Sequence, residues 1–424
     1  MKAVVLAAGK GIRLEPITST RPKHMIKIAG KPILERCLNE LKACGIKDIV
    51  LVVNHMANAI EGYFGDGGKL GIKIEYARQE TVLGTGNALI TAQSLVQEDF
   101  ALVYGDLLFS ANVMKKVLEK HQNERPSATM AVVPVMQPEN YGIVELDDRD
   151  HVKRIIEKPN REEAPSNLAN TGIYVLSKDI ITKVKETPAS ARGEWEIPDA
   201  IALMLNEGKG VLAVKVLEED WMDIGRPWDL LEANRWILTR KNHRITGSVE
   251  EGAHLIGPVT VAETARVRSG TYVEGPVYIG AESDVGPNCH LRPYTSIGRK
   301  VRIGNACEIK NSIIMDNTHI GHLSYIGDSV IGENCNLAAG TLVANYRFDA
   351  GTVKMIVKDR VLDSGRKKLG AILGDQVKTG LNSLLMPGVK VGVECWVGPG
   401  VIVSRDLPAK TMVMLKQQFE TRRF

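Results

Sequence analysis

Two periodicities of hydrophobic positions divide this chain, and one gives way to the other near residue 240. Up to about residue 235, short β-branched runs alternate with amphipathic segments. Residues 4–7, 49–53, 73–76 and 101–104 read as strands, the last running into Gly105-Asp106. Residues 32–44 have helical spacing, with Ile33, Leu34, Leu38 and Leu41 on one face, and 87–95 reads as a second helix. Alternating strand and helix predicts a mostly parallel sheet with helices on both faces, whose ligands bind at the carboxyl ends of the strands. Residues 228–241 read as a connecting helix, with Leu230, Leu231, Asn234 and Ile237 at helical spacing.

Beyond residue 250 the period becomes six. Leu255, Val261, Val267, Val273, Ile279, Val285, Leu291, Ile297, Ile303 and Ile309 follow one another without a slip. A five-residue step leads to Ile314, Ile320 and Ile326, and another to Ile331, Leu337 and Val343. A last run is Leu373, Thr379, Leu385, Val391, Val397 and Val403. Six fits neither a helix nor an ordinary strand. It fits a coil of three flat faces, each giving one inward aliphatic residue: a hexapeptide parallel β-helix. Residues 344–369 break the period and are polar, which predicts a loop or hairpin thrown out from the coil. The division is therefore 1–227 for the α/β domain, 228–249 for the linker helix, 250–412 for the β-helix with its insertion, and 413–424 for a charged tail.

Composition changes this picture little. At 424 residues the chain is too long for one ordinary core. With 44% hydrophobic and 25% charged residues it reads as a globular, cytoplasmic protein. A net charge of +4, spread along the chain, is too mild to suggest nucleic acid as a partner. No apolar run is long enough to span a membrane. The apolar N-terminus reads as a buried first strand rather than a signal peptide, because Gly9-Lys10-Gly11-Ile12-Arg13 interrupts it at once. Cys37, Cys44, Cys289, Cys307, Cys335 and Cys395 lie far apart, without metal-like spacing, and read as reduced thiols.

The first candidate chemistry follows the first strand. In Leu6-Ala7-Ala8-Gly9-Lys10-Gly11-Ile12-Arg13, glycines let backbone N–H groups approach phosphate oxygens. Alone, the loop is equally a tight turn. It is followed, however, by Pro22-Lys23-His24-Met25, Gln79 with Leu83-Gly84-Thr85-Gly86, Tyr104-Gly105-Asp106, Tyr141-Gly142, Glu157-Lys158-Pro159, Asn170-Thr171-Gly172 and Trp221-Met222-Asp223-Ile224-Gly225. In that order these motifs resemble the signature of nucleotide-sugar pyrophosphorylases, over about the first 230 residues. The resemblance implies attack of a sugar-1-phosphate oxygen on the α-phosphorus of UTP or dTTP, with pyrophosphate leaving. It implies Mg²⁺ on Asp106 and Asp223, and Arg13 and Lys23 as the cations at the reacting phosphates. Leu6, Ala8, Gly9, Gln79, Gly84, Thr85 and Tyr104 would bind the nucleotide. Gly142, Glu157, Lys158, Asn170 and Thr171 would bind the sugar phosphate. Ile12 departs from the family, where many relatives carry Thr.

The β-helix has polar residues that a plain scaffold does not need. Gly321-His322-Leu323-Ser324-Tyr325-Ile326-Gly327-Asp328, then Asn336-Leu337-Ala338-Ala339-Gly340-Thr341, then Ala344-Asn345-Tyr346, resembles the acetyltransferase half of bifunctional N-acetylglucosamine-1-phosphate uridylyltransferases (the GlmU-like enzymes). The insertion and the segment from Asn345 to Asp349 look like the archaeal type. The resemblance implies a left-handed β-helix, a homotrimer, and acetyl-CoA as donor. His322 would be the general base for the sugar amine, an imidazole's ordinary role near neutral pH. Arg292 and Lys310 would hold the sugar phosphate, and Tyr325 and Asn336 the sugar. Asn345 would orient the base or the amine. Ala339, Asn345, Tyr346 and Lys416 are candidates for the acetyl-CoA and oxyanion contacts, and Lys354 for an extra one. Ala338-Ala339-Gly340 departs from the usual Gly-Ala-Gly. The competing expectation is a monofunctional glucose-1-phosphate nucleotidylyltransferase with a structural β-helix.

Overall fold

By its internal contacts the chain divides into two compact units: Met1–Lys10, Pro22–Met25 and Pro32–Ile224 in the first, Gly11–Arg21, Ile26–Lys31 and Gly225–Phe424 in the second. The structure is a computed structural model and describes residues 1–190, 193–241 and 244–424. Residues 242–243 of the expected linker lie outside the described residues.

In the first unit, β1 (Lys2–Ala7), β2 (Asp48–Val53), β3 (Lys73–Arg78) and β4 (Phe100–Tyr104) form a parallel half-sheet in the order β4-β1-β2-β3. β1, β2 and β4 are near-continuous apolar runs because both of their faces are buried. Val5, Leu51 and Val103 enter one core with Leu34 and Leu38 of α1 (Ile33–Ala43). Val4, Val50 and Leu102 enter the other with Ala88 and Leu89 of α2 (Thr85–Thr91). The expected helix at 87–95 is thus α2 followed by a 3-10 turn at Gln93–Leu95.

The sheet is mixed, not mostly parallel. After β5 (Leu107–Phe109) come β6 (Ala128–Pro134), β7 (Gly142–Leu146), β8 (Val152–Glu157), β9 (Leu168–Leu176), β10 (Val211–Lys215) and β11 (Trp221–Asp223). β9 runs antiparallel to β4, β6 and β7, and β7 antiparallel to β8. The physical reason is local: five polar residues, 147–151, join β7 to β8, and so short a link connects only antiparallel strands. β5 and β11 make a separate antiparallel pair in which Asp223 lies opposite Leu107.

Among the described residues of the second unit, three parallel sheets of eight, nine and eight short strands run side by side. Each coil stacks on the last in register: Val261 on Ile279, Ile279 on Ile297, then Ile297 on Ile314 across the five-residue step. The repeat's aliphatic residues fill one core, most of them with no exposed surface. The first β-helix strands are Arg244–Ile245 and Ser248–Val249, ahead of residue 250. α3 (Asp229–Thr239) lies on one face, where the buried Asn234 side chain donates to Tyr294 O at 2.7 Å and accepts from Ser296 Oγ at 2.5 Å. The N-terminal segments of this unit are tied to coil corners: Arg21 pairs with Asp375 and, at 2.8 Å, with Glu333, and Lys27 pairs with Asp316 at 2.7 Å. Residues 344–369 leave the coil as a hairpin, Lys354–Val357 against Arg360–Asp363, before Ile372 stacks on Val330.

Candidate active sites

The first site is assembled at the carboxyl end of β1 and β4. Gly105 N–H donates to Leu6 O at 2.9 Å, continuing the ladder past the strand ends. A Cβ on Gly105 would lie 3.0 Å from that oxygen and 3.3 Å from His24 Cδ2, so any larger residue would have to push its neighbours aside. Asp106 follows, 9% exposed, and its carboxylate is paired with the Lys23 ammonium. Burial pushes the Asp106 carboxyl up, but the Lys23 ammonium, through its charge and hydrogen bond, outweighs burial, and the net shift is downward. Burial, with Lys23, lowers His24 to about 3 and keeps it neutral. Lys23 Cε lies 3.6 Å from where a Gly9 Cβ would be, which places the ammonium's stem against the glycine loop. Arg13 is exposed on the 3-10 turn Ile12–Leu14, in the segment that groups with the second unit.

Gln79 is buried just past β3; its Nε2 donates to Asn87 Oδ1 at 2.6 Å, while its Oε1 has no partner among the described residues. A buried amide oxygen without a partner costs free energy unless a ligand supplies a donor. Gly84 has φ +99°, and a Cβ there would come within 2.4 Å of Trp195 O. Thr85 opens α2 but does not cap it; its hydroxyl accepts from Ile197 N at 3.1 Å. Ala8 is buried. Tyr104 stacks at 6.1 Å from Tyr174, and burial pushes its phenol up to about 12.

The sugar-phosphate candidates lie on β7, β8 and β9, with Lys158 just past the end of β8. Gly142 pairs with Glu157, and a Cβ on Gly142 would meet Glu157 Oε2 at 2.7 Å. Lys158 Nζ is 3.1 Å from Glu157. Asn170 Nδ2 donates to Tyr174 Oη at 2.6 Å and its Oδ1 accepts from Gly172 N. The Thr171 hydroxyl is committed elsewhere: it donates to Ala131 O at 2.9 Å and is buried in the sheet.

The second site lies along the β-helix coils. Tyr325 stacks in register on Glu308 and under Leu342. Lys310 Nζ is 3.2 Å from Asp328 Oδ2, and Asn345 Nδ2 donates to the same oxygen and to Tyr325 Oη at 3.1 Å. Arg292 pairs with Glu308 at 2.9 Å. His322 is exposed at a coil corner, its carbonyl accepting from Ser324 Oγ at 2.8 Å. Asn336 is exposed on the neighbouring sheet, in register with His319. The N–H groups of Ala338, Gly340 and Thr341 are taken by Thr379 Oγ1, His322 O and Ala338 O, which narrows the oxyanion expectation to Ala339 itself. Tyr346 is half-exposed and bridges to Lys368. Lys354 and Lys416 are exposed, the latter beyond the last strand.

Two family models match: a nucleotidyl transferase model over residues 2–240 and a GMPPB C-terminal domain model over 273–385. The chain is 43% identical to the bifunctional protein GlmU of Methanocaldococcus jannaschii over the full length of both. The chain belongs to this family. It is also 43% identical to the bifunctional sugar-1-phosphate nucleotidylyltransferase/acetyltransferase of Sulfurisphaera tokodaii, covering 96% of this chain and 98% of that one. A UDP-glucose pyrophosphorylase solved with UDP-glucose matches with a TM-score of 0.51 and 27% identity, over 57% of this chain and 99% of its own.

In this GlmU-type chain the donor chemistry for Mg²⁺ fits. Mg²⁺ takes one or two carboxylates and leaves its other positions to phosphates and water. Asp106 precedes β5 and Asp223 ends β11, so the antiparallel pair brings the two carboxylate-bearing positions together. Among the described residues no cluster of three or more acidic, His or Cys side chains forms a complete metal cage. Sequence reasoning missed two groups. Asn87, which orients Gln79, lies in the first turn of α2 and has no motif of its own. Asp328 stood inside a recognised motif, but nothing in the sequence says that its carboxylate gathers Lys310 and Asn345.

Proposed function

We propose that this protein is a bifunctional enzyme of UDP-N-acetylglucosamine synthesis. At the β-helix, the amine of glucosamine-1-phosphate attacks the thioester carbonyl of acetyl-CoA. A C–N bond forms, the C–S bond breaks, His322 takes the amine proton, and coenzyme A leaves as its thiol. Lys310 and Arg292 hold the phosphate, Tyr325 and Asn336 the sugar, and Asn345 accepts from the amine. The Ala339 N–H stabilises the oxyanion. The observation that carries this reading is the gathering of Lys310, Asn345 and Tyr325 by hydrogen bonds on adjacent coils, which a purely structural β-helix does not require.

In the α/β domain, a phosphate oxygen of N-acetylglucosamine-1-phosphate attacks the α-phosphorus of UTP, and the bond to the β-phosphate breaks. Arg13 and Lys23 neutralise the meeting anions and align them. Gln79 and Gly84 read the pyrimidine edge, and the partnerless Gln79 Oε1 supports that role. Asp106 and Asp223 hold Mg²⁺, which supplies charge neutralisation at the phosphates. Apolar side chains left exposed on the coils, among them Leu323, Leu342 and Ile402, support assembly as a homotrimer.

The test is paired. With glucosamine-1-phosphate and acetyl-CoA, the protein should release coenzyme A, and His322→Ala should not. With UTP, Mg²⁺ and N-acetylglucosamine-1-phosphate it should release pyrophosphate, and Asp106→Asn should lose roughly 100-fold or more. Pyrophosphate release without any acetylation would establish the monofunctional alternative. A panel pairing UTP and dTTP with glucosamine, galactosamine and glucose phosphates assigns the substrates.

A further inference from the structure

Asp328 is 3% exposed, lies in the left-handed region at φ 50°, and carries no role so far. Its backbone is anchored on both sides: N–H donates to Lys310 O at 2.9 Å, and its carbonyl accepts from Gly370 N at 2.8 Å, where the chain returns from the insertion. Its carboxylate meets donors from three directions. Oδ1 accepts from Asn311 Nδ2 at 2.6 Å, and Oδ2 from Lys310 Nζ and Asn345 Nδ2. Arg366, from the insertion, comes within 4.0 Å with one nitrogen and pairs with Glu232 of α3 through another.

We infer that Asp328 is a positioning residue of the acetyl-transfer site, holding Lys310 and Asn345, and through Asn345 the Tyr325 hydroxyl, in place for an amino-sugar phosphate. The inference rests on the acetyl-transfer reading above. Two arguments carry it. A lysine has much rotamer entropy to lose, and a buried counter-charge removes most of that freedom before substrate arrives. An amide nitrogen has two hydrogens, and Asn345 spends both, on Asp328 and on Tyr325. The amide is therefore oriented with Oδ1 as its remaining group, an acceptor suited to an amine N–H. Tyr325 Oη, accepting from Asn345, keeps its own hydrogen for a sugar oxygen. Gly327 permits the arrangement: a Cβ there would lie 2.4 Å from Tyr325 Oη and 2.6 Å from Asn345 Nδ2.

The experiment uses the full chain and follows coenzyme A release while glucosamine-1-phosphate is varied, with pyrophosphate release from UTP and the melting temperature as controls. Asp328→Asn should raise KM for the sugar phosphate and lower kcat, for a combined loss of about 10- to 100-fold, with pyrophosphate release unchanged. Asn311→Ala, which touches the same carboxylate but none of the substrate-reading groups, should stay near wild type. Asp328→Asn added to Asn345→Ala should cost clearly less than the sum of the two single losses, because the part of the Asp328 effect that runs through Asn345 is already gone and only the part through Lys310 remains. Asn345→Asp sets two carboxylates against each other and should lose activity; adding Asp328→Asn rebuilds a donor–acceptor pair and should restore part of it. That swap decides the question if Asp328→Asn alone does not fold. Wild-type kinetics in Asp328→Asn, full additivity with Asn345→Ala, or no rescue by the swap overturns the inference. A wild-type protein that releases no coenzyme A with any amino-sugar phosphate overturns the acetyl-transfer reading instead.

Discussion

At the scale of single residues, the two sites differ in how their side chains are held. Lys23 and Asp106 are a part-buried ion pair, so each is already oriented by the other. His322 is exposed at a coil corner. Replacing it with Ala should therefore leave the melting temperature unchanged while acetyl transfer falls by roughly 10²- to 10⁴-fold, read as coenzyme A release, with pyrophosphate release intact. Gly84 has the opposite character. Its φ of +99° and its approach to Trp195 O leave no room for a side chain. Gly84→Ala should destabilise the first unit by about 1–3 kcal/mol and raise KM for UTP, measured by thermal melting and nucleotide-dependent kinetics. Glycines in the motif were legible in the sequence. Which of them is sterically required was not, since that depends on a backbone oxygen more than a hundred residues away.

At the scale of elements, the hexapeptide register is written in the chain because each coil buries the same positions. Ile303 sits in register between Val285 and Ile320 of the neighbouring coils, fully buried. Ile303→Ala should cost about 2–5 kcal/mol, seen as a lowered denaturant midpoint, since neighbouring coils can collapse only partly into the space. The sheet of the first unit was less legible. Its parallel half followed from apolar runs separated by helices. Its antiparallel half did not, because strand direction there is set by one short polar turn and by pairing partners far apart in sequence. Thr85 illustrates the same limit: a threonine before a helix suggests a cap, yet its hydroxyl accepts from Ile197, the first residue of another helix.

At the scale of the whole molecule, the two units do not follow the order of the chain. Segments 11–21 and 26–31 group with the β-helix, and Arg21 there is 9% exposed between Glu333 and Asp375. Arg21→Ala leaves two carboxylates without their partner and should destabilise the second unit by about 3–5 kcal/mol in thermal unfolding. A fragment ending at residue 227 strands the same arginine without either carboxylate, so it should melt below the intact protein and be cut sooner by protease near residue 21. By itself the sequence determined the fold class of both halves, the β-helix core position by position, and the order of the nucleotidyl-transfer motifs. Those features repeat locally, and periodic burial leaves a mark on every turn of chain. Only the tertiary structure decided that Asp328 joins Lys310 to Asn345, that the Thr171 hydroxyl faces the sheet, and that part of the N-terminal segment stands on the β-helix. Each depends on a hydrogen bond or ion pair between residues distant in the chain, and such pairings leave no period to read.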